Sequence, residues 1–369
     1  MTALSRQRVG LFGRGRARSA AGSRPPRERG DATRSFVLTL IAVVTVAAFL
    51  SPMLRSIAYA LKSTDQITQA GTPAYPADPV TISYQGQNLP LLLVPLPDGT
   101  TRTLALFEPG RKQSTFIDPN APSVAPITWL GSWRTLEHVW QFAPHWENFG
   151  KVWDLIDYPR LLFNTAMIAL IGMIGTLVSC TLVAYGFARF RFPGRDLLFT
   201  LLIATIFLPT AVTIIPTYTI FAKLGWVGTW LPLLVPTFFA NAFDVFLMRQ
   251  YFMTIPTEMD EAAAIDGASP FRTLISVILP QAWPVIIAVA IFHLVYSWND
   301  FFAPLIYLST NPDLVTLPVG LASFSGARVA ENPGLIQAGT LMTLIIPVIA
   351  FLLTQRFFTR GLVVTGVER

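Results

Sequence analysis

Residues 256–284 read PTEMDEAAAIDGASPFRTLISVILPQAWP. The stretch lies between two long apolar runs, yet it cannot cross a bilayer itself. It carries Glu258, Asp260, Glu261, Asp266 and Arg272, and each charge costs roughly 2.5–3.5 kcal/mol at the centre of a spanning helix. The spacing predicts two short helices in water. Thr257, with Asp260 three residues on, predicts a capping box after Pro256. Gly267 can take the positive φ that ends the first helix. Ser269 caps a second helix with Pro270 at its first position, and Pro280 closes it. From composition alone the segment reads either as a polar loop or as a docking knob on the end of a helix bundle.

Its surroundings are those of a membrane protein. Hydrophobic residues make up 52% of the chain and charged residues 13%, against about 25% charged in a soluble domain. The single cysteine, Cys180, lies in an apolar run and excludes an intrachain disulfide. His138, His145 and His293 stand far apart without ligand spacing, so no metal site is expected. No basic stripe interleaved with aromatics points to nucleic acid. No G-x-x-x-x-G-K-[ST] occurs, so the chain has no phosphate-cradling loop of its own. No catalytic constellation and no cofactor site are expected.

Residues 1–34 hold nine arginines against Glu28 and Asp31. This reads as a disordered cytoplasmic tail that sets orientation and touches anionic lipid. The first apolar run, 36–54, is long enough to span, giving a first transmembrane helix over 35–55. Residues 56–160 form a polar insert. Within it LLLVPLPDGTTRTLALF predicts two strands around Pro97-Asp98-Gly99, and VTISYQ a third. Trp129, Trp133, Trp140, Trp146 and Trp153 suit a membrane-interface layer.

Further apolar runs cover 161–188, 197–222, 229–248, 285–308 and 335–355, with a loop expected over 309–334. Gly172, Gly175, Ser179, Ala184 and Gly186 allow close helix approach on the second run. Pro209 and Pro216 interrupt the third, and either kink it or simply pack. Asn241 and Asp244 sit in the fourth, and Asn299 and Asp300 end the fifth. These four are the candidate pathway-lining residues, although Asn299–Asp300 also suits a cap near Pro304. With the tail inside, six spans put Arg189, Arg191 and Arg195, the 256–284 segment and the C-terminus inside too. The short outside loops then carry Lys223 and Arg328, as the positive-inside rule requires.

Glu261-Ala262-Ala263, Asp266-Gly267-Ala268, Ile278-Leu279-Pro280 and Pro284 together resemble the EAA motif of ABC-importer permeases. Other segments resemble the carbohydrate branch of that family, typified by the smaller maltose-transporter membrane subunit. They are Glu147-Asn148-Phe149, Ala184–Arg189 with Phe192–Arg195, Arg249–Phe252, Ser297–Phe301, Thr316–Gly320 and Gln355–Phe358 with Arg360-Gly361. The resemblance covers about 147–369. The basic tail and the long 56–160 insert depart from it.

The resemblance implies an all-α polytopic protein of the type I ABC-importer permease fold, with six transmembrane helices and a small extracytoplasmic insert, in part β, between the first two. The domain reading is a tail over 1–34, a first helix over 35–55, the insert over 56–160 and the permease domain over 161–369. It implies an inner-membrane subunit of an ATP-driven, binding-protein-dependent importer of sugars or oligosaccharides, with both termini cytoplasmic. Its partners would be a second permease subunit, two copies of a cytoplasmic ATPase and an extracytoplasmic solute-binding protein. Segment 256–284 would be the coupling hairpin: Glu261 the polar anchor against the ATPase, Ala262 and Ala263 sites of close approach, Asp266, Gly267 and Ala268 the turn, Leu279 and Pro280 the seat on the bundle. The alternatives are a permease of the same superfamily for another solute, or a self-sufficient secondary transporter, against which no internal repeat is visible.

Overall fold

The computed structural model describes residues 29–69, 71–121, 124–328 and 333–361. The arginine-rich tail before Arg29 and the final Arg369 lie outside the described residues, as do the side chains of Arg328, Arg356 and Arg360. The chain divides into two units at Pro52–Met53. The first contains most of α1 (Arg29–Ala60), whose apolar side chains from Phe36 to Leu50 are exposed.

The second unit opens with the end of α1, followed by α2 (Thr64–Thr68) and the β insert. Strand β1 (Ala77–Pro79) pairs with β8 (Trp140–Phe142). The larger sheet runs β2 (Thr81–Tyr84), β3 (Gln87–Pro95), β4 (Thr101–Glu108), β5 (Gln113–Ile117), β6 (Ile127–Leu130), all antiparallel, with β7 (Glu137–His138) beside β3. The predicted turn is there. Pro95 pairs with Thr101, Gly99 takes φ +80°, and the Asp98 carboxylate accepts the Thr100 N–H at 2.9 Å. Side chains alternate across the strands. Leu92, Val94, Leu104, Leu106 and Phe116 fill one face, and Leu89, Leu91, Ala105 and Ile117 the other. Both faces are therefore covered. Trp129 and Trp133 pack against this sheet: Trp129 lies edge-on to Phe116 at 6.4 Å and donates to the Pro95 carbonyl.

After α3 (Glu147–Leu155) the chain is helical: α4 (Tyr158–Arg189), α5 (Arg195–Ala204), α6 (Thr210–Lys223), α7 (Leu231–Leu234), α8 (Ala242–Thr254), α9 (Glu258–Ile265), α10 (Pro270–Thr273), α11 (Leu279–Asn299), α12 (Phe302–Leu308), α13 (Leu317–Arg328) and α14 (Pro333–Gly361). Among the described residues five helices are long and apolar enough to cross a membrane. The count is six when the pair 195–207 and 212–223, bent by 101°, is taken as one span. Pro209 stands at the break, directly before α6.

The fourth run supplies a candidate span over Leu231–Thr254 that is interrupted: α7 passes through a 3-10 turn at Val235–Phe238 into extended backbone before α8. Two further expectations change. The 309–334 loop contains α13, because Leu317 and Val319 are buried and the Thr165 hydroxyl accepts the Leu317 N–H at 2.8 Å. Pro280 does not close the second hairpin helix. α10 runs through a π turn at Leu274–Ile278 into α11, and Pro280 is the second residue of α11.

Two clusters hold the bundle. Cys180, Ala184, Tyr185, Val245, Met248, Phe252, Leu274, Ile278 and Ala282 join α4, α8 and the start of α11, and Cys180 is indeed a small packing residue. Val152, Tyr158, Leu161, Trp298, Leu317 and Ala338 join α3, α4, α11, α13 and α14. Close approach is real at two glycines of α4. A Cβ at Gly172 would stand 2.7 Å from His293 Nε2, and one at Gly175 would stand 2.6 Å from Thr237 Oγ1.

Candidate functional site

The hairpin stands on the first of these clusters. Phe252, Ile255, Leu274 and Ile278 are buried beneath it, and α9 lies above. Ala263 points into the bundle and is 8% exposed, while Glu261, Ala262, Asp266 and Gly267 are exposed and Ala268 is half-buried. A larger side chain at 263 has no room; at 262 it would stand in solvent.

The turn is a complete Schellman cap. Ala268 N–H donates to Ala263 O at 2.9 Å and Gly267 N–H to Ala264 O at 3.0 Å, with Gly267 at φ +78°. The Ser269 hydroxyl accepts the Arg272 N–H at 3.4 Å and caps α10, whose first residue is Pro270. The Thr257–Asp260 box does not form. Thr257 is already helical and makes no side-chain cap, because Asp260 turns to another partner. Arg189, in the last turn of α4, places Nε 2.9 Å from Asp260 Oδ2. Its Nη2 donates to the Ile255 carbonyl at 2.9 Å. Tyr185, one turn earlier, donates to the Pro270 carbonyl at 3.2 Å. Together with Glu261, Ala268 and Pro270 these residues line a cleft of about 350 Å³.

Leu279 is half-buried and Pro280 exposed where the hairpin joins α11. Gln281 Nε2 donates to the Val277 carbonyl at 2.9 Å. Sequence reasoning missed the apolar surface of the hairpin: Ile265 is 86% exposed, Phe271 62% and Ile275 50%. The available signal was Ile265 itself, a large apolar residue flanked by Ala264 and Asp266 at a helix end.

Asn241, Asp244, Asn299 and Asp300 form two local pairs. Asn241 is the N-cap of α8. Its Oδ1 accepts the Asp244 N–H at 3.0 Å and its amide meets the buried Asp244 carboxylate. Asn299 donates to the Val295 carbonyl at 2.8 Å, and Asp300 accepts the Ala303 N–H at 3.3 Å, as a cap before Pro304 would. The broken span beside Asn241 is laced to α4 and α11. Ser179 donates to the Thr237 carbonyl at 3.1 Å, and Thr176 Oγ1 meets His293 Nδ1 at 3.0 Å.

A model of the family described as "Binding-protein-dependent transport system inner membrane component" matches residues 180–361, the part that holds the hairpin and the broken span. An osmoprotective compounds uptake permease protein, GgtD, of Synechocystis sp. is 32% identical over 253 residues, which is 68% of this chain and 84% of that protein. The chain belongs to this family. A second relative, the sn-glycerol-3-phosphate transport system permease protein UgpE of Yersinia enterocolitica, is 35% identical over 231 residues, 60% of this chain and 81% of that protein. This permease also shares its fold with a crystal structure of a bacterial ABC transporter involved in the import of the acidic polysaccharide alginate. The TM-score is 0.64 at 19% identity, over 91% of this chain and all of the other. The permease is therefore a multi-pass inner-membrane subunit of an ABC importer. It couples to an ATPase carried on a separate subunit and performs no covalent chemistry itself.

Proposed function

We propose that the permease imports a sugar, oligosaccharide or closely related polyol, and that hairpin 256–284 is where the ATPase docks. The observation that carries the docking reading is the hairpin's build: a rigid Schellman turn and a Ser269 cap hold Glu261, Asp266 and Ile265 out from the bundle. An apolar residue 86% exposed beside fixed charges suits a protein surface that a partner covers. The solute class rests on the carbohydrate-branch segments and on the names of the two relatives.

In this reading residues 1–34 and the C-terminus are cytoplasmic, 35–55 is the first span, and the 56–160 insert stands outside, facing the solute-binding protein. The domain 161–369 supplies half of the pathway beside a second permease subunit, over two copies of the ATPase. The break before α8 supports a pathway there, since non-helical backbone at membrane depth is tolerated where it lines a cavity or is buried in protein. Asn241 and Asn299, both exposed, are the proposed solute contacts. Asp244 and Asp300 hold the helix breaks that present them. ATP closing the ATPase dimer then biases one of two bundle arrangements through the hairpin.

The test is ATP-driven uptake by the permease co-expressed with its partner subunits. Glu261→Arg reverses the exposed charge. Gly267→Pro demands φ near −65° where the chain has +78° and deletes the N–H that caps α9. Both are expected to abolish uptake while membrane insertion survives. Wild-type uptake in both removes the docking role, and uptake driven by an ion gradient without ATPase makes the chain a secondary transporter.

A further inference from the structure

We propose that Arg189 and Asp260 are a positioning pair that ties the docking hairpin to α4, so that movement of the hairpin reaches the broken span through α4. This rests on the docking reading above and adds a route to it.

The hairpin is covalently continuous with α8 on one side and, through the π turn, with α11 on the other. α4 has no such continuity. Among the described residues its polar links to the hairpin are Arg189, to Asp260 and to the Ile255 carbonyl, and Tyr185, to the Pro270 carbonyl. Arg189 thus bridges the end of α8, helix α9 and α4 at once, a task suited to a planar guanidinium fork and not to a lysine.

The pair is withdrawn from water, with side chains 9% and 22% exposed. Arg189 Nε and both Asp260 carboxylate oxygens are buried without an aligned hydrogen bond, although Nε and Oδ2 stand 2.9 Å apart. Each charge is therefore compensated by the other. A buried charge that loses its partner is strongly disfavoured, so the two groups move together.

The far side of α4 is already engaged. Gly172 and Gly175 let it close on His293 and Thr237, Thr176 meets His293, and Ser179 holds the Thr237 carbonyl beside the break. A continuous helix with the hairpin fixed at its last turn and the break fixed at its middle is a rigid element that both ends can bias. Neither residue touches solute in this scheme, and the partner ATPase meets Glu261.

The experiment measures solute imported per ATP hydrolysed in proteoliposomes holding the whole transporter, with its own binding protein. Asp260→Asn keeps the shape and removes the charge; Arg189→Gln does the same from the other side. Each is expected to lower the ratio at least fivefold. The double variant is expected to be no worse than either single one, because the pair acts as a unit. Asp260→Glu, which keeps the charge, is expected to stay within about twofold of wild type. A ratio unchanged within twofold in both single variants overturns the proposal. So does a parallel fall of uptake and hydrolysis at constant ratio, which is what a merely structural pair would give. Glu261→Arg in the same preparation separates the two readings. Lost uptake there with intact coupling in the pair variants removes only the clamp, whereas wild-type uptake there and in Gly267→Pro removes the docking site and the clamp with it.

Discussion

Hairpin 256–284 and the β insert are built in opposite ways. The insert has cores of its own on both faces of its sheet, with Phe116, Leu92 and Leu104 fully buried. The hairpin's first helix has eight residues and buries one of them, Ala263. What keeps α9 in place is local geometry, the Arg189 contact and the floor of the bundle. An isolated helix of that length is not stable in water. The difference teaches where each element gets its order. The insert carries buried side chains of its own, while the hairpin takes its position from the helices it joins.

The comparison breaks most sharply if the insert fails to behave as an independent core. Phe116→Ala removes a side chain with no exposure that packs on Trp129, and such truncations cost about 3–5 kcal/mol. The expected outcome is rapid proteolysis of the insert in intact membranes, with hairpin accessibility to a cysteine-directed label at position 265 unchanged. Equal change in both would show one cooperative unit.

Much of this was legible in the sequence, and for a physical reason. Spans announce themselves by length and apolarity, and the hairpin by local chemistry: Gly267 for positive φ, Ser269-Pro270 for a cap and first turn. The strand pair around Pro97-Asp98-Gly99 is likewise a local signal. What was not legible is what depends on distant groups. Thr257 and Asp260 look like a capping box, yet the box lost Asp260 to Arg189, which lies in another helix. Pro280 looks like a stop, but the chain passes through a π turn directly before it and continues as α11, with Leu274 and Ile278 of that turn packed in the cluster that joins α4 and α8. The packing of Trp129 and Trp133 on the sheet depends on the pairing of β5 with β6 and on Phe116, which no local pattern announces. The 309–334 stretch reads as a loop by composition, while Thr165 supplies the cap that starts α13. The candidate site was thus visible as a motif, but its attachment to α4 was not.

A smaller perturbation sharpens the hairpin side. At Gly267 a Cβ would meet nothing within 4 Å, so Gly267→Ala introduces no clash. The cost is conformational alone, about 1–2 kcal/mol for a residue held at positive φ. Uptake is expected to fall partially, well short of the loss in Gly267→Pro, and the insert's protease resistance is expected to stay at the wild-type level. Wild-type uptake in Gly267→Ala would mean that the turn needs only to exist and not to be stiff.

The smallest effect is set by pH and belongs to the insert. His145 faces a carboxylate from each ring nitrogen: Asp78 on β1 at 2.9 Å from Nε2, and Glu147 at the start of α3 at 2.6 Å from Nδ1. Only the imidazolium can donate to both. Partial burial pulls the His145 pKa down, but the hydrogen bonds and charge of Asp78 and Glu147 outweigh it and hold the group above its ordinary 6.5. The Glu147 pKa is pulled below its ordinary 4.5, first by its hydrogen bond with His145. A raised histidine contributes stability that is fully present below 6.5 and lost as pH rises through the raised value. A lowered carboxylate contributes stability present above 4.5 and lost as pH falls further. The link between β1 and α3 is therefore tightest between those two values and loosens on the alkaline side. Hydrogen exchange at Ala77 and Phe142, which pair across β1 and β8, is expected to show extra opening at pH 8.5 beyond the intrinsic base-catalysed rate, relative to pH 5.5. The extra opening should be absent in His145→Gln. The hairpin contains no histidine, so its own exchange should show no such step, and a matching step there would show that the two regions open together.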